Sequence, residues 1–295
     1  MSAALEKLRP LTKGGSMTML ALDQRGSLKT IIANGGDEST IADSRLVEFK
    51  AAAAEILSPL ASAVLLDSGF GRKAMGLLPA GTPLILSADK FDQAPGGPVE
   101  RSVLDPAVTP ALIDDCKAVA IKLLVIWTQG SGADFRRDLV AQFVALARKT
   151  GRISLVEGIV RDANGAKFKT AREHGEAVIA AARELVEPGP DVYKAEVPGY
   201  LPGQLGDVPH FAGKLTQAIA QPWVVLSNGV AAPDFPEAVR LSCGGGASGF
   251  LAGRAIWADA AAQFDPREAL QRESLPRLQS LVEIVRSSKR QAASA

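Results

Sequence analysis

Eight short apolar runs rich in Val, Ile and Leu, helical patterns between them, and no linker that would divide the chain predict one α/β domain, a closed (β/α)8 or TIM barrel. The runs lack clean alternation, which is how strands of a parallel sheet covered on both faces read. The 295 residues fit one such barrel, which commonly takes about 250 residues as a single unit. An open doubly wound sheet is the structural alternative. The barrel is assigned to residues 1–290 and a frayed tail to residues 291–295.

The strands are expected, in order, at Ser16–Asp23 (SMTMLALD), Ser62–Ser68 (SAVLLDS), Leu84–Asp89 (LILSAD), Ala120–Trp127 (AIKLLVIW), Ile153–Val160 (ISLVEGIV), Asp191–Pro198 (DVYKAEVP), Trp223–Val230 (WVVLSNGV) and Gly246–Gly253 (GASGFLAG). The eighth has little β-branched content. Asp43–Leu57 reads as an Ala-rich helix with an apolar face, stopped by Ser58-Pro59. Ala133–Thr150 is amphipathic and ends at Gly151; His174–Glu187 ends at Pro188-Gly189. Asp234–Cys243 is a short helix before a Gly run, and Leu275–Arg290 is the last. The Pro/Gly-rich stretches Gln93–Pro98 and Pro198–Pro209 follow strands, where barrel loops belong.

Composition excludes several functions. The 33 basic and 32 acidic residues leave a net charge of +1, which argues against nucleic acid as a partner. At 47% hydrophobic the chain has material for a large core and too much for disorder. Two cysteines, Cys116 and Cys243, and two histidines, His174 and His210, do not make a structural zinc site or a three-histidine catalytic one. No apolar run reaches the roughly 20 residues of a membrane span; the longest candidate, Ala118–Trp127, is interrupted by Lys122. The N-terminal MSAALEKLRPLTKGG has no apolar signal core. With unpaired cysteines, that points to the cytoplasm and to no membrane partner.

Chemistry in a barrel sits at the C-terminal ends of its strands. Strand one ends in Asp23-Gln24-Arg25, strand two in Asp67 and strand three in Asp89. Strand four carries Lys122, strand five Glu157, and strand six Lys194 and Glu196. Any one of these reads equally as an ion-pair partner or a strand-end cap. Two lysines inside hydrophobic strands are a narrower signal, because lysine is almost never fully buried unless paired or functional. If both point inward on nearby strands, they share the barrel mouth with Glu157. Desolvation and a second cation disfavour a lysine's charge. The neutral amine attacks a ketone and forms a Schiff base, whose iminium stabilises a neighbouring carbanion. Glu157 is placed to move protons. This chemistry needs no metal and no other cofactor.

The segment Gly244–Gly249 (GGGASG) matches the G-x-G-x-x-G dinucleotide pattern, but a helix precedes it and a strand follows, which is the wrong order for that motif. Ser227-Asn228-Gly229 and Gly253-Arg254 end the last two strands, where barrels often hold a phosphate on backbone N–H groups. Arg254 adds a forked donor for a tetrahedral oxyanion. The other reading of these glycines is tight turns and close packing. His174 reads as a solvated helix residue and His210 as part of the long loop after strand six. Trp127 and Trp257 read as packing residues, and Cys243 has no nearby base.

ALDQRGSLK (Ala21–Lys29), DVYKAEVP (Asp191–Pro198), VLSNGV (Val225–Val230) and FLAGRAIW (Phe250–Trp257) together resemble the Schiff-base, class I tagatose 1,6-bisphosphate aldolase family. Within it, ADSRLVEFK (Ala42–Lys50), LSPLASAVLLD (Leu57–Asp67) and IKLLVIW (Ile121–Trp127) are most similar to the sulfofructosephosphate aldolases. The resemblance implies a (β/α)8 barrel with Lys194 as the Schiff-base lysine and Glu157 as acid and base. It makes Asp23 and Lys122 polar residues flanking the imine, and Gln24 a substrate contact. It puts Ser227, Gly229, Gly253 and Arg254 around the ketose 1-phosphate, with Asn228 beside them where a smaller residue is expected. The loop PGYLPGQLGDVPHF is poorly matched.

The expectation is a metal-independent aldolase acting on a small sugar phosphate or sulfosugar phosphate and forming a homo-oligomer. The substrate is a ketohexose 1-phosphate with an anionic C6 group, 6-deoxy-6-sulfofructose 1-phosphate in preference to tagatose or fructose 1,6-bisphosphate. The products are dihydroxyacetone phosphate and sulfolactaldehyde, or glyceraldehyde 3-phosphate from a bisphosphate. Arg25, Arg72 and Lys90 are the candidates for the C6 group. One rival is a Mg²⁺-dependent barrel lyase or isomerase holding the ion on Asp23, Asp67, Asp89, Glu157 and Glu196. Another is a non-catalytic sugar-phosphate sensor, against which Lys194 in mid-strand argues.

Overall fold

The computed structural model describes residues 3–93 and 99–294. Eight parallel strands close into a barrel: β1 (Met17–Ala21), β2 (Val64–Leu66), β3 (Leu84–Ser87), β4 (Ala120–Thr128), β5 (Ile153–Arg161), β6 (Val192–Ala195), β7 (Trp223–Val225) and β8 (Gly249–Ala252). Each expected run overlaps one of them, and β4 and β5 each run one residue further than expected. Each strand pairs with the next, and β8 returns to β1 with Gly249 opposite Met17 and Ala252 opposite Leu20. The closed ring excludes the open doubly wound alternative.

Helices surround the ring: α1 (Ala3–Leu8), α2 (Gly26–Ala33), α3 (Asp43–Leu57), α4 (Arg72–Met75), α5 (Pro110–Asp115), α6 (Ala133–Thr150), α7 (Ala171–Val186), α8 (Val208–Ala218), α9 (Phe235–Gly244), α10 (Arg254–Ala261), α11 (Pro266–Ala269) and α12 (Leu275–Ser294). None is long and apolar enough to cross a membrane among the described residues.

Strand side chains alternate in direction. Met17, Met19, Ala21, Leu65, Ile85, Ala120, Ile153, Leu155, Val192, Val224 and Leu251 form one buried cluster inside the ring, joined by Leu8 and Leu11. Leu20, Leu66, Leu123, Val125, Val156, Tyr193 and Phe250 have the other parity and pack against the helices. Each fully buried Leu, Ile or Val contributes roughly 1.5–3 kcal/mol. The inward parity continues up the strands to Asp23, Asp67, Lys122, Glu157 and Lys194. The site is therefore the polar top layer of the barrel's own interior.

Several elements differ from expectation. Helix α7 starts at Ala171, because Thr170 caps it: its Oγ accepts the Glu173 N–H at 3.2 Å and donates to Glu173 Oε2 at 2.8 Å. Helix α12 runs to Ser294, past Arg290, and Ala295 lies outside the described residues. His210 is not in a loop but exposed on the first turn of α8. The stretch after β3 holds an antiparallel hairpin, Asp89–Gln93 with Val99–Leu104, and residues 94–98 lie outside the described ones. Asp89 thus opens the hairpin rather than ending the third strand.

Candidate active site

A cavity of about 270 Å³ lies over the C-terminal ends of the strands. Glu157 on β5 stands directly opposite Lys194 on β6 in the strand register, and Leu124, two residues beyond Lys122, stands opposite Glu157. Both lysines are buried, at 0% and 4% exposure. Lys194 Nζ lies 2.9 Å from Glu157 Oε2, and Lys122 Nζ lies 3.3 Å from the same oxygen. Lys122 Nζ is also 2.7 Å from Asp23 Oδ2 and 2.9 Å from Asp89 Oδ2.

These contacts correct the expectation that the two lysines weaken each other's charge. Burial works against a charged Lys122, but Asp23, Asp89 and Glu157 outweigh it and hold the ammonium well above the ordinary lysine range. Burial likewise opposes a charged Asp23, and Lys122, Lys194 and Arg25 outweigh it, so that carboxylate lies well below the usual range. Lys122 is a fixed cation. Lys194 has a single carboxylate partner within ion-pair distance among the described residues.

Further polar groups hold this arrangement. Asp89 accepts from Ser87 Oγ at 2.7 Å and from the Leu124 N–H at 2.9 Å. Arg25 donates to the Asp89 carbonyl at 2.9 Å and to Ser87 Oγ at 3.3 Å, and its Nε lies 3.9 Å from Asp67 Oδ2. Asp67 is paired with Lys50 of α3, which is fully buried. The sequence reading overlooked Lys50, although a lysine among Leu46, Phe49, Ala53 and Leu57 on the apolar face of a helix is a legible signal.

The magnesium rival fails on this geometry. Asp23, Asp89 and Glu157 converge on the Lys122 ammonium, which stands where a cation would have to stand. Asp67 faces Lys50. Glu196 lies apart, accepting the Val160 N–H at 3.0 Å and facing His174 Nε2 at 3.5 Å. Among the described residues no three His, Cys, Asp or Glu side chains are grouped to hold a metal ion.

The residues expected at the phosphate end lie close together. Gly229 turns the chain after β7 with φ +77°. The Gly253 N–H donates to Ser227 Oγ at 3.4 Å, and a Cβ at Gly253 would overlap the Ala21 carbonyl oxygen. Helix α10 begins at Arg254, so its N-terminus borders the cavity. Arg254 donates to Asn228 Oδ1. Burial lowers its guanidinium from the ordinary value, with Glu157, Asp23 and Glu196 opposing. Gln24 lines the cavity, and its Oε1 is buried without a hydrogen-bond partner.

Other candidates fall elsewhere. Arg72 is bonded to Asp115 at 2.8 Å away from the cavity, and Lys90 is exposed and not in its wall. Arg25 does line it. The cavity has two further cations that the sequence reading missed, Arg161 and Lys167. Arg161 shares the inward parity of Glu157, and that signal pointed to it. His174 is not solvated: its side chain is 13% exposed and faces Glu196. Trp127 Nε1 donates to Glu184 at 2.8 Å and Trp257 Nε1 to the Ala21 carbonyl at 3.0 Å, so both are packing residues. Burial pushes the Cys243 thiol up to about 11. The Gly run packs: a Cβ at Gly245 would overlap Ala212, and one at Gly249 the Met17 carbonyl oxygen.

The chain is 27% identical over 274 residues to the tagatose 1,6-diphosphate aldolase of Listeria monocytogenes, covering 83% of this chain and 78% of that one. It is 28% identical over 283 residues to the Lactococcus lactis enzyme of the same name, covering 86% and 84%. In fold it resembles a fructose-bisphosphate aldolase from Plasmodium falciparum, with a TM-score of 0.73 at 13% identity over 96% and 93% of the two chains. It also resembles a Schiff base-forming fructose-1,6-bisphosphate aldolase, with a TM-score of 0.65 at 20% identity over 96% and 99%. Residues 17–259 match the model of the DeoC/LacD family aldolases. The chain belongs to that family and is an aldolase.

Proposed function

We propose that the protein is a class I aldolase that cleaves a ketohexose 1-phosphate bearing an anionic C6 group, with Lys194 as its nucleophile. The observation that carries this reading is the buried contact of Lys194 Nζ with Glu157 Oε2 at 2.9 Å, inside a cavity whose wall holds six cationic side chains and two carboxylates. A proton passes from Lys194 to Glu157, and the free amine attacks C2 of the ketose. Glu157 returns a proton to the carbinolamine oxygen, water leaves, and the iminium forms. A base takes the C4 hydroxyl proton, the C3–C4 bond breaks, and its electron pair moves into the iminium to give an enamine. The three-carbon aldehyde departs. Protonation of the enamine at C3 and hydrolysis of the imine release dihydroxyacetone phosphate and restore Lys194. The fixed Lys122 ammonium and Asp23 orient the groups around the imine. Ser227, Gly229, Gly253 and Arg254, with Asn228 and Gln24, hold the 1-phosphate end.

The favoured substrate is 6-deoxy-6-sulfofructose 1-phosphate, from the whole-chain resemblance, giving sulfolactaldehyde. The names of the 27–28% identical relatives favour tagatose 1,6-bisphosphate as the second reading. Incubation with dihydroxyacetone phosphate, borohydride reduction and mass spectrometry test the mechanism. The adduct is expected on Lys194 and is absent in Lys194→Ala; an adduct elsewhere, or cleavage by Lys194→Ala, overturns it.

A further inference from the structure

The cavity does not end above Lys194. A second cavity of about 170 Å³ adjoins it between the ends of β5, β6 and β7, and Arg161, Lys167 and Asn228 line both. Its wall also contains Glu196. Around the ring the order is β8, β7, β6, β5. The Arg254 end belongs to β7 and β8, Lys194 to β6, and Arg161 to β5. A linear ketose with its 1-phosphate at Arg254 and C2 on Lys194 therefore points C3 to C6 toward β5. Four C–C bonds extend about 5 Å. Arg161 stands four residues above Glu157, about 13 Å along the strand, so its side chain and C6 reach toward each other. Neither Arg161 nor Lys167 has a carboxylate partner among the described residues. Arg161 donates to the Val160 carbonyl at 2.7 Å and keeps further N–H groups. Arg25, in contrast, is committed to Asp67 and Asp89.

We propose that Arg161, Lys167 and Glu196 form the subsite for the C6 anion, and that the Glu196 carboxylate makes it prefer a singly charged sulfonate to a doubly charged phosphate. This rests on the aldolase reading above. The two cations and one carboxylate leave one net positive charge, which a sulfonate neutralises. A phosphate monoester carries nearly two negative charges at neutral pH, and the second faces Glu196 uncompensated. Glu196 is held by the Val160 N–H and His174, so it does not swing away. It acts as a specificity determinant without touching the bonds that change.

The test compares kcat/KM on 6-deoxy-6-sulfofructose 1-phosphate and tagatose 1,6-bisphosphate in the wild type, Glu196→Gln, Arg161→Gln and Lys167→Gln. The wild type is expected to favour the sulfonate. Glu196→Gln is expected to raise the bisphosphate-to-sulfonate ratio about tenfold, the scale of one partly solvated charge contact. Arg161→Gln and Lys167→Gln are expected to raise KM for both substrates. Dihydroxyacetone phosphate has no C6, and its borohydride trapping on Lys194 is expected to persist in all three variants. An unchanged ratio in Glu196→Gln overturns the charge selection, even if Arg161 and Lys167 bind C6. If Arg161→Gln and Lys167→Gln leave KM unchanged, the subsite itself is overturned. Failure of trapping in the wild type instead overturns the Schiff-base reading.

Discussion

In the proposed mechanism the chemistry turns on Glu157, because one of its oxygens faces two lysines of different character. It faces Lys194, which has no other carboxylate within ion-pair distance among the described residues, and Lys122, which has two more. Glu157→Gln keeps the shape and removes the proton acceptor, so kcat is expected to fall by about 10²–10⁴, with the protein still folded by circular dichroism. Lys122→Met leaves Asp23, Asp89 and Glu157 buried together without their cation. The expected cost is about 3–5 kcal/mol, read as a lower urea midpoint. Asp23 gives a prediction in pH. Its folded pKa lies below the ordinary 3.8, so its contribution is present above that pH and is lost as pH falls toward the folded value. Asp23→Asn is expected to flatten the acid side of the stability curve, below about pH 4, in urea titrations. An acid limb as steep as in the wild type would show that other groups carry it.

At the scale of elements, the barrel closes where chain meets chain most tightly. Gly249 has φ +136° and its α-carbon faces the Met17 carbonyl oxygen across the β8–β1 seam. Gly249→Ala adds strain and a backbone overlap together, and a loss of roughly 3 kcal/mol or more is expected in thermal or urea unfolding. Thr170→Ala removes the cap of α7 and is expected to cost about 1 kcal/mol. These two sites also show what was legible. Thr170-x-x-Glu173 is a capping box in the sequence, and reading it places the start of α7 at Ala171 rather than His174. The hairpin opened by Asp89 was less legible, because its strands pack on the barrel mouth and carry no sustained apolar run. Phe91 and Val99 nonetheless line the cavity.

For the whole molecule, a net charge of +1 conceals a cavity whose wall holds more cations than carboxylates. Attraction of the proposed polyanionic substrate is therefore local and short-ranged. Raising salt from about 0.05 to 0.5 M is expected to raise KM several-fold and leave kcat nearly unchanged. A fall in kcat of the same size would place the electrostatic effect in the chemical step.

The sequence alone determined the barrel and singled out Lys122, Glu157 and Lys194 as a group. Eight apolar runs, several with charged residues at inward parity, carry that information locally, through the two-residue period of a strand. Only the tertiary structure decided the state and partnership of each charge. Lys122 became a fixed ammonium, Lys50 and Asp67 a buried pair, Glu196 the partner of His174, and Arg161 and Lys167 cations shared by the two cavities with no carboxylate partner among the described residues. Those outcomes depend on which charges lie within a few ångströms across different strands and helices after closure. At Lys122 and Asp23 the Coulomb attraction outweighs burial, whereas at Lys50 burial prevails and lowers the lysine, and spacing along the chain encodes neither.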